Sequence, residues 1–126
     1  MKDLRRFYRI KADAGEVYSA LTNPFSIELW SGNPAKMIPE AGTEFSMFDG
    51  EIEGINLEFV KDSKIVQEWY FGEREEKSIV TILLSNDRLY TKIELTQTNI
   101  PDEAFEEMLT GWDQYYFGAL KDFFEK

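Results

Sequence analysis

Histidine and cysteine are both missing from these 126 residues, and each absence closes off chemistry. Without imidazole there is no Ser-His-Asp machinery, no two-histidine metal site and no proton shuttle working near neutrality. Without thiols there are no disulfides, thiolate zinc sites or cysteine nucleophiles. Proline is sparse, at four positions. No repeat, low-complexity tract or Pro/Gly/Ser-rich linker divides the chain, so a single domain spanning residues 1–126 is expected. Long apolar runs are also lacking, which leaves no candidate bilayer span. Met1 leads directly into a strand-like pattern rather than a signal peptide, and the cytoplasm is the expected compartment. Basic residues are the minority, 14 against 24 acidic, for a net charge of −10. That field repels phosphate backbones and excludes nucleic acid as a partner. Arg5, Arg6, Arg9 and Lys11 read as a solvated strand face.

What is abundant is apolar and aromatic. Hydrophobic residues make up 43% of the chain and aromatics 15%, enough for a substantial core. Leu4 to Ala12 reads as a strand, with Leu4, Tyr8, Ile10 and Ala12 toward one side. Asp13 and Glu16 form a capping-box-like helix start, and the helix presents Val17, Ala20 and Leu21 on one stripe. Asn23 and Pro24 open a second short helix carrying Phe25, Ile27, Leu29 and Trp30, which stops near Gly32.

From Gly42 onward the period changes to two. Asp49-Gly50 marks a hairpin turn, and Gly54 marks a bulge at which the inward set shifts from Ile52 to Ile55, Leu57 and Phe59. Lys64 to Phe71 forms the next strand, with Ile65, Trp69 and Phe71 to one side, and Glu73 to Lys77 a charged loop. Ser78 to Ser85 and Leu89 to Thr96 pair around Asn86-Asp87-Arg88, with Leu89, Thr91, Ile93 and Leu95 pointing one way. One wet and one dry face predict antiparallel strands. Phe105, Met108, Leu109, Trp112, Tyr116, Ala119, Leu120 and Phe123 then recur at helical spacing. A helix from Asp102 to Glu125 would be roughly 36 Å long, enough to cross a small sheet. The predicted fold class is α+β: a helix-grip fold with a curved antiparallel sheet of about six strands, two short helices after the first strand, and a long C-terminal helix on the concave face.

Four segments carry a family resemblance. Val17-Tyr18-Ser19-Ala20-Leu21-Thr22-Asn23-Pro24 with Trp30, the hairpin from Gly42 through Phe45, Met47, Asp49 and Gly50 to Gly54, and Ile65-Val66 with Trp69 and Phe71 resemble segments of the activators of the heat-shock-protein-90 ATPase. Gly111-Trp112 with Tyr115-Tyr116-Phe117 is the most specific piece, and it resembles the C-terminal domain of that activator. The resemblance implies an AHSA-type domain of the START-like superfamily, whose polyketide-cyclase-like and birch-pollen-allergen-like members hold an apolar cavity between helix and sheet. It also implies a heat-shock-protein-90 homologue as a partner. Nothing here corresponds to the activator's separate N-terminal domain. Its tryptophan-proline element after the central strand is replaced by Gly72-Glu73-Arg74-Glu75-Glu76-Lys77.

Trp112, Tyr115 and Tyr116, beside the adaptable side chain of Met108, are the helix-side candidates for a ligand cavity. Trp30, Phe45, Trp69 and Phe71 are the sheet-side candidates. All eight have an alternative as filled core. Gly111, costly inside a helix, points to close backbone packing or a bend beside the pocket. Glu51, Glu53, Glu58 and Glu68 are the available strand carboxylates, expected to face water. With no catalytic constellation, no metal-ligand spacing and no cofactor motif, the expected function is non-enzymatic binding. The ligand would be an apolar small molecule or hydrophobic protein segment, and the module would have a co-chaperone-like role. The alternative is a cyclase- or hydrolase-type enzyme acting on a hydrophobic substrate through carboxylate or tyrosine groups.

Overall fold

The computed structural model describes residues 1–72 and 75–125; the Glu73-Arg74 part of the charged loop lies outside them. Six strands form one antiparallel sheet: β1 Lys2–Ile10, β2 Glu44–Met47, β3 Ile52–Val60, β4 Lys64–Trp69, β5 Ser78–Asp87 and β6 Tyr90–Ile100. Their order is β1-β6-β5-β4-β3-β2, a meander whose first strand returns to pair with the last. Between β1 and β2 lie α1 (Ala14–Thr22) and α2 (Pro24–Ser31). A C-terminal helix closes the chain: a 3-10 turn at Asp102–Ala104, α3 (Phe105–Thr110), a π-helical turn at Gly111–Tyr116, and α4 (Phe117–Glu125).

Local chemistry explains the helix boundaries. The Asp13 carboxylate accepts the Glu16 N–H at 2.9 Å and caps α1. Asn23 ends α1 through its N–H to Ser19 O, and its side chain accepts the N–H groups of Phe25 and Ser26 to start α2. Pro24 takes the first position of α2, where its missing N–H costs nothing. Gly32 then stops α2 in the left-handed region at φ 76°.

Ile65, Val80, Ile82, Ile93 and Leu95 line the inner face of the sheet and are essentially inaccessible. Trp112, Tyr116, Phe117 and Leu120 pack against that face from the C-terminal helix, and Val17, Leu21 and Ile27 from the short helices. Alternation placed Thr91, Ile93 and Leu95 inward correctly, but Leu89 sits in the turn and is 72% exposed.

The bulge in β3 is real but later than Gly54 implied. Gly54 and Asn56 keep the inward register against Trp69 and Gln67, and the ladder shifts between Asn56 and Glu58. The inward set is therefore Ile52, Gly54, Asn56 and Phe59, while Leu57 is exposed. Gly54 stays in register because the chains approach too closely for a side chain. A Cβ there would collide with the Glu68 carbonyl oxygen and press the Phe45 ring at 2.8 Å.

The π-helical turn changes which helix residues are buried. The Phe117 N–H bonds to the Trp112 carbonyl, five residues back, so this turn holds one residue more than an α-turn. Both Tyr116 and Phe117 consequently enter the core, and downstream the buried edge moves from Phe123, 42% exposed, to Phe124. Gly111 is not a close-packing position: nothing lies within 4 Å of where its Cβ would be. The close approach is at Gly118, where a Cβ would collide with the Asp113 carbonyl oxygen.

Candidate functional site

An open cleft of about 840 Å³ lies beside the C-terminal helix, bounded on its other sides by the end of α2 and the β2–β3 hairpin. That volume falls within the ~300–1,000 Å³ typical of small-molecule sites. The helix supplies Met108, Gly111, Trp112, Tyr115, Tyr116 and Ala119; the hairpin supplies Phe48 and Ile52; β4 supplies Trp69. Ser31 at the end of α2 and Asn33 just beyond it edge the cleft.

Its floor is a rigid aromatic stack. Trp69 and Trp112 lie nearly parallel, with centroids 4.7 Å apart, and Tyr116 tilts against Trp112 at 4.5 Å. Buried amides fix both indoles. Trp69 Nε1 donates to Gln67 Oε1 at 3.0 Å, and Gln67 Nε2 in turn donates to Asn56 Oδ1 at 2.9 Å. Trp112 Nε1 donates to Gln97 Oε1 at 2.8 Å, and Gln97 Nε2 donates to Ser78 Oγ at 3.1 Å. Asn56, Gln67, Ser78 and Gln97 all point inward among apolar neighbours, and their mutual pairing offsets the cost of burying them.

Five of the eight cavity candidates line this cleft: Trp69, Met108, Trp112, Tyr115 and Tyr116. Tyr115 stands at the rim, 63% exposed. Trp30, Phe45 and Phe71 do not line it. Trp30 backs Tyr116 at 5.1 Å and anchors its indole N–H on Ala20 O; Phe45 is core beside Gly54; Phe71 packs on the core edge. The space between helix and sheet is thus filled by stacked tryptophans, the filled-core alternative, and the free volume opens sideways. Of the strand carboxylates, Glu58 pairs with Lys64 at 3.3 Å and Glu68 with Lys77 at 4.0 Å; Glu53 is exposed, and only Glu51 reaches the cleft.

Sequence reasoning found the Asp49-Gly50 hairpin turn but missed that the hairpin and an acidic edge line the cleft. Phe48, Asp49 and Gly50 take positive φ angles of 54°, 55° and 86°, a turn that holds the Phe48 ring 6.2 Å from both Trp30 and Tyr116. Left-handed backbone at a bulky residue is uncommon and costs about 1 kcal/mol or more. Asp49 and Glu51 of the hairpin, and Glu106 and Glu107 of α3, also line the cleft. A signal for the helix side was available: Glu107, Gly111 and Tyr115 recur at four-residue spacing beside the Met108-Trp112 stripe.

Tyr116 brings a buried phenol to the cleft. The residue is 3% exposed, and burial pushes its phenol well above the usual value, keeping it neutral. Its hydroxyl has no hydrogen-bond partner among the described residues. Among the described residues no buried side-chain oxygen is both sealed from solvent and unpaired, and the Tyr116 side chain is among those lining the cleft.

A six-stranded antiparallel sheet curved around a long C-terminal helix defines a helix-grip protein of the START-like class. Within it the chain belongs to the family described as activator of Hsp90 ATPase homolog 1-like protein, which matches residues 11–125. It is 30% identical over 112 residues to an activator of 90 kDa heat shock protein ATPase homolog from Dictyostelium discoideum, covering 86% of this chain and 29% of that protein. It is 28% identical over 111 residues to the human activator homolog 1, covering 86% and 33%. The chain therefore spans about a third of the curated relatives it matches. The crystal structure of an HSP90 activator from Plasmodium falciparum superposes with a TM-score of 0.88 at 25% identity, over 98% of this chain and 96% of that one.

Proposed function

We propose that this domain is a non-enzymatic binding module that seats an apolar small molecule or a hydrophobic protein segment in the cleft beside the C-terminal helix. The carrying observation is the preformed floor of Trp69, Trp112 and Tyr116 beneath about 840 Å³ of open volume. The floor itself is nearly covered, so the accessible apolar contact comes from Tyr115, Phe48, Ile52 and Met108 above it, and Met108 adapts to the shape of a guest. Native mass spectrometry of protein isolated from its own host tests this reading. Retention of a low-mass apolar species, lost in a Trp112→Ala variant, is the expected result. An empty protein that also fails to bind apolar probes would overturn it.

Family membership supports a second element, a co-chaperone role toward a heat-shock-protein-90 homologue. The relatives named as ATPase activators are about three times longer than the region they share with this chain, so the role proposed here is one part of what those longer proteins do. Mixing it with the chaperone of the same host and measuring ATP turnover decides the matter. Increased turnover supports the role; absent binding with unchanged turnover removes it.

A further inference from the structure

The two edges of the sheet are not alike. β2 has only four residues, and Lys36 covers its outer side: Lys36 N–H donates to Ser46 O at 2.8 Å, and Ser46 N–H to Lys36 O at 3.0 Å. β1, at the opposite end of the strand order, has nine residues, and its register against β6 is unbroken from Leu4 to Ile10. Among the described residues, the backbone of residues 4–9 makes no hydrogen bond outside that ladder. The free edge ends at Lys11, whose N–H donates to the Glu125 carboxylate at 3.3 Å. No β1 residue lines the cleft. An open row of strand N–H and C=O groups is a template for another strand.

Charge selects which strand. Residues 2–11 hold five cations and one carboxylate, in a chain of net charge −10. Arg5, Phe7 and Arg9 lie on the outer face of β1 and Arg6 on the inner one, all exposed. Arg6 makes no ion pair or hydrogen bond among the described residues. Arg9 meets Asp87 only at 3.9 Å, and the Arg5 side chain stays 63% exposed beside Glu94. Two copies of β1 side by side would bring these arginines together, so a second copy of this chain does not fit. Nucleic acid has no peptide backbone to pair with the edge. An extended acidic polypeptide supplies both the backbone and the charge. Phe7 and Leu83, 64% and 39% exposed, both pair with Glu94 and line a depression of about 560 Å³, which adds an apolar contact.

We propose that the β1 edge binds an extended acidic segment of a partner protein as an added strand, on a surface separate from the cleft. Cross-strand pairing fixes the pattern of that segment. Antiparallel addition sets acids opposite Arg9, Arg6 and Arg5 and an apolar residue opposite Phe7. A matching peptide reads Glu-Thr-Val-Glu-Glu between flanking threonines, running from the residue opposite Arg9 to the one opposite Arg5.

Calorimetry with this peptide, and hydrogen exchange of the β1 amides followed by NMR, test the proposal. The peptide should bind about tenfold tighter than the same sequence with lysine at its acidic positions, the scale that a few partly screened ion pairs supply. Alternate amides of β1 should gain protection. N-methylation of alternate peptide residues should abolish binding in one phase and spare it in the other, because an added strand turns only one edge to β1. Arg6→Gln/Arg9→Gln should remove most of the preference for acid. Lys36→Gln/Lys61→Gln, an equal change of charge outside β1, should leave it in place. Absent binding, equal binding of the acidic and lysine peptides, equal loss from both N-methylated forms, or unchanged β1 exchange each overturn the proposal. A dimer in sedimentation with its β1 amides already protected would overturn it too, and would make a second copy the occupant.

Discussion

Gln97 accepts the indole N–H of Trp112 at 2.8 Å and donates to Ser78 Oγ at 3.1 Å, so one sheet side chain sets the rotation of the principal helix aromatic. Gln67 does the same for Trp69. The cleft floor is therefore held in place before any ligand arrives, and binding need not order it.

Gln97→Leu should accordingly lower stability by about 1–3 kcal/mol, because it strands a buried indole N–H. Removing both partners in Trp112→Phe/Gln97→Leu should cost less than the sum of the single changes, since the two side chains share one bond. Urea unfolding of the four proteins measures this. Additive losses would show that the pair is not coupled.

The glycines separate by the space around them. Gly111 has helical angles, φ −60° and ψ −48°, and open space where a Cβ would stand. Gly111→Ala should therefore stabilise by about 0.4–1 kcal/mol. Gly54→Ala and Gly118→Ala force a Cβ onto the carbonyls of Glu68 and Asp113 and should each cost about 3 kcal/mol or more. Thermal midpoints of the three variants check the ordering.

Asn23 serves two helices at once, ending α1 with its backbone and opening α2 with its side chain. Asn23→Ala should cost about 1 kcal/mol, whereas Asn23→Ser, which keeps an acceptor, should cost much less. Equal losses from both changes in urea unfolding would assign the effect to the side-chain amide and not to capping.

Much of this fold was legible because local chemistry and periodicity agreed. Asp13, Asn23, Pro24 and Gly32 mark helix ends through hydrogen bonds and backbone angles that depend on near neighbours alone. Strand faces followed from alternation except at Leu89, which lies in the β5–β6 turn, and in β3 from Ile55 on, where the expected bulge at Gly54 gives way to a register shift against β4 after Asn56. The π-turn left no mark in the helical spacing. Phe117 and Phe124 were missed as core because a 3.6-residue period does not foresee one added residue. Half the site was legible for a related reason. Aromatic stripes identify Trp69, Trp112 and Tyr116, but only the folded hairpin brings Asp49 and Glu51 to the same cleft as Glu106 and Glu107. Trp30 and Phe45 share the chemistry and the burial of the floor and differ from it only in not lining the cleft.

Tyr116 gives the last prediction, which follows from its environment and a sign argument. Burial holds its phenol above the usual value of 10, and at Tyr8 burial and the 2.7 Å hydrogen bond to Asp113 act in the same direction. Below pH 10 both groups are protonated in the folded and unfolded chains alike, so they contribute no pH dependence. As pH rises past 10 the unfolded chain ionises first and is stabilised, so folding stability falls, by up to about 1.4 kcal/mol per pH unit for Tyr116. Urea midpoints between about pH 9 and pH 11.5 should decline, and Tyr116→Phe should flatten the decline. Because its hydroxyl has no protein partner among the described residues, the same variant should stay within about 0.5 kcal/mol of the parent at pH 7. A larger loss there would mean the hydroxyl holds the fold together and is not free for a ligand. An unchanged alkaline slope would mean the ring is far less enclosed than its contacts with Trp30, Trp69 and Trp112 require.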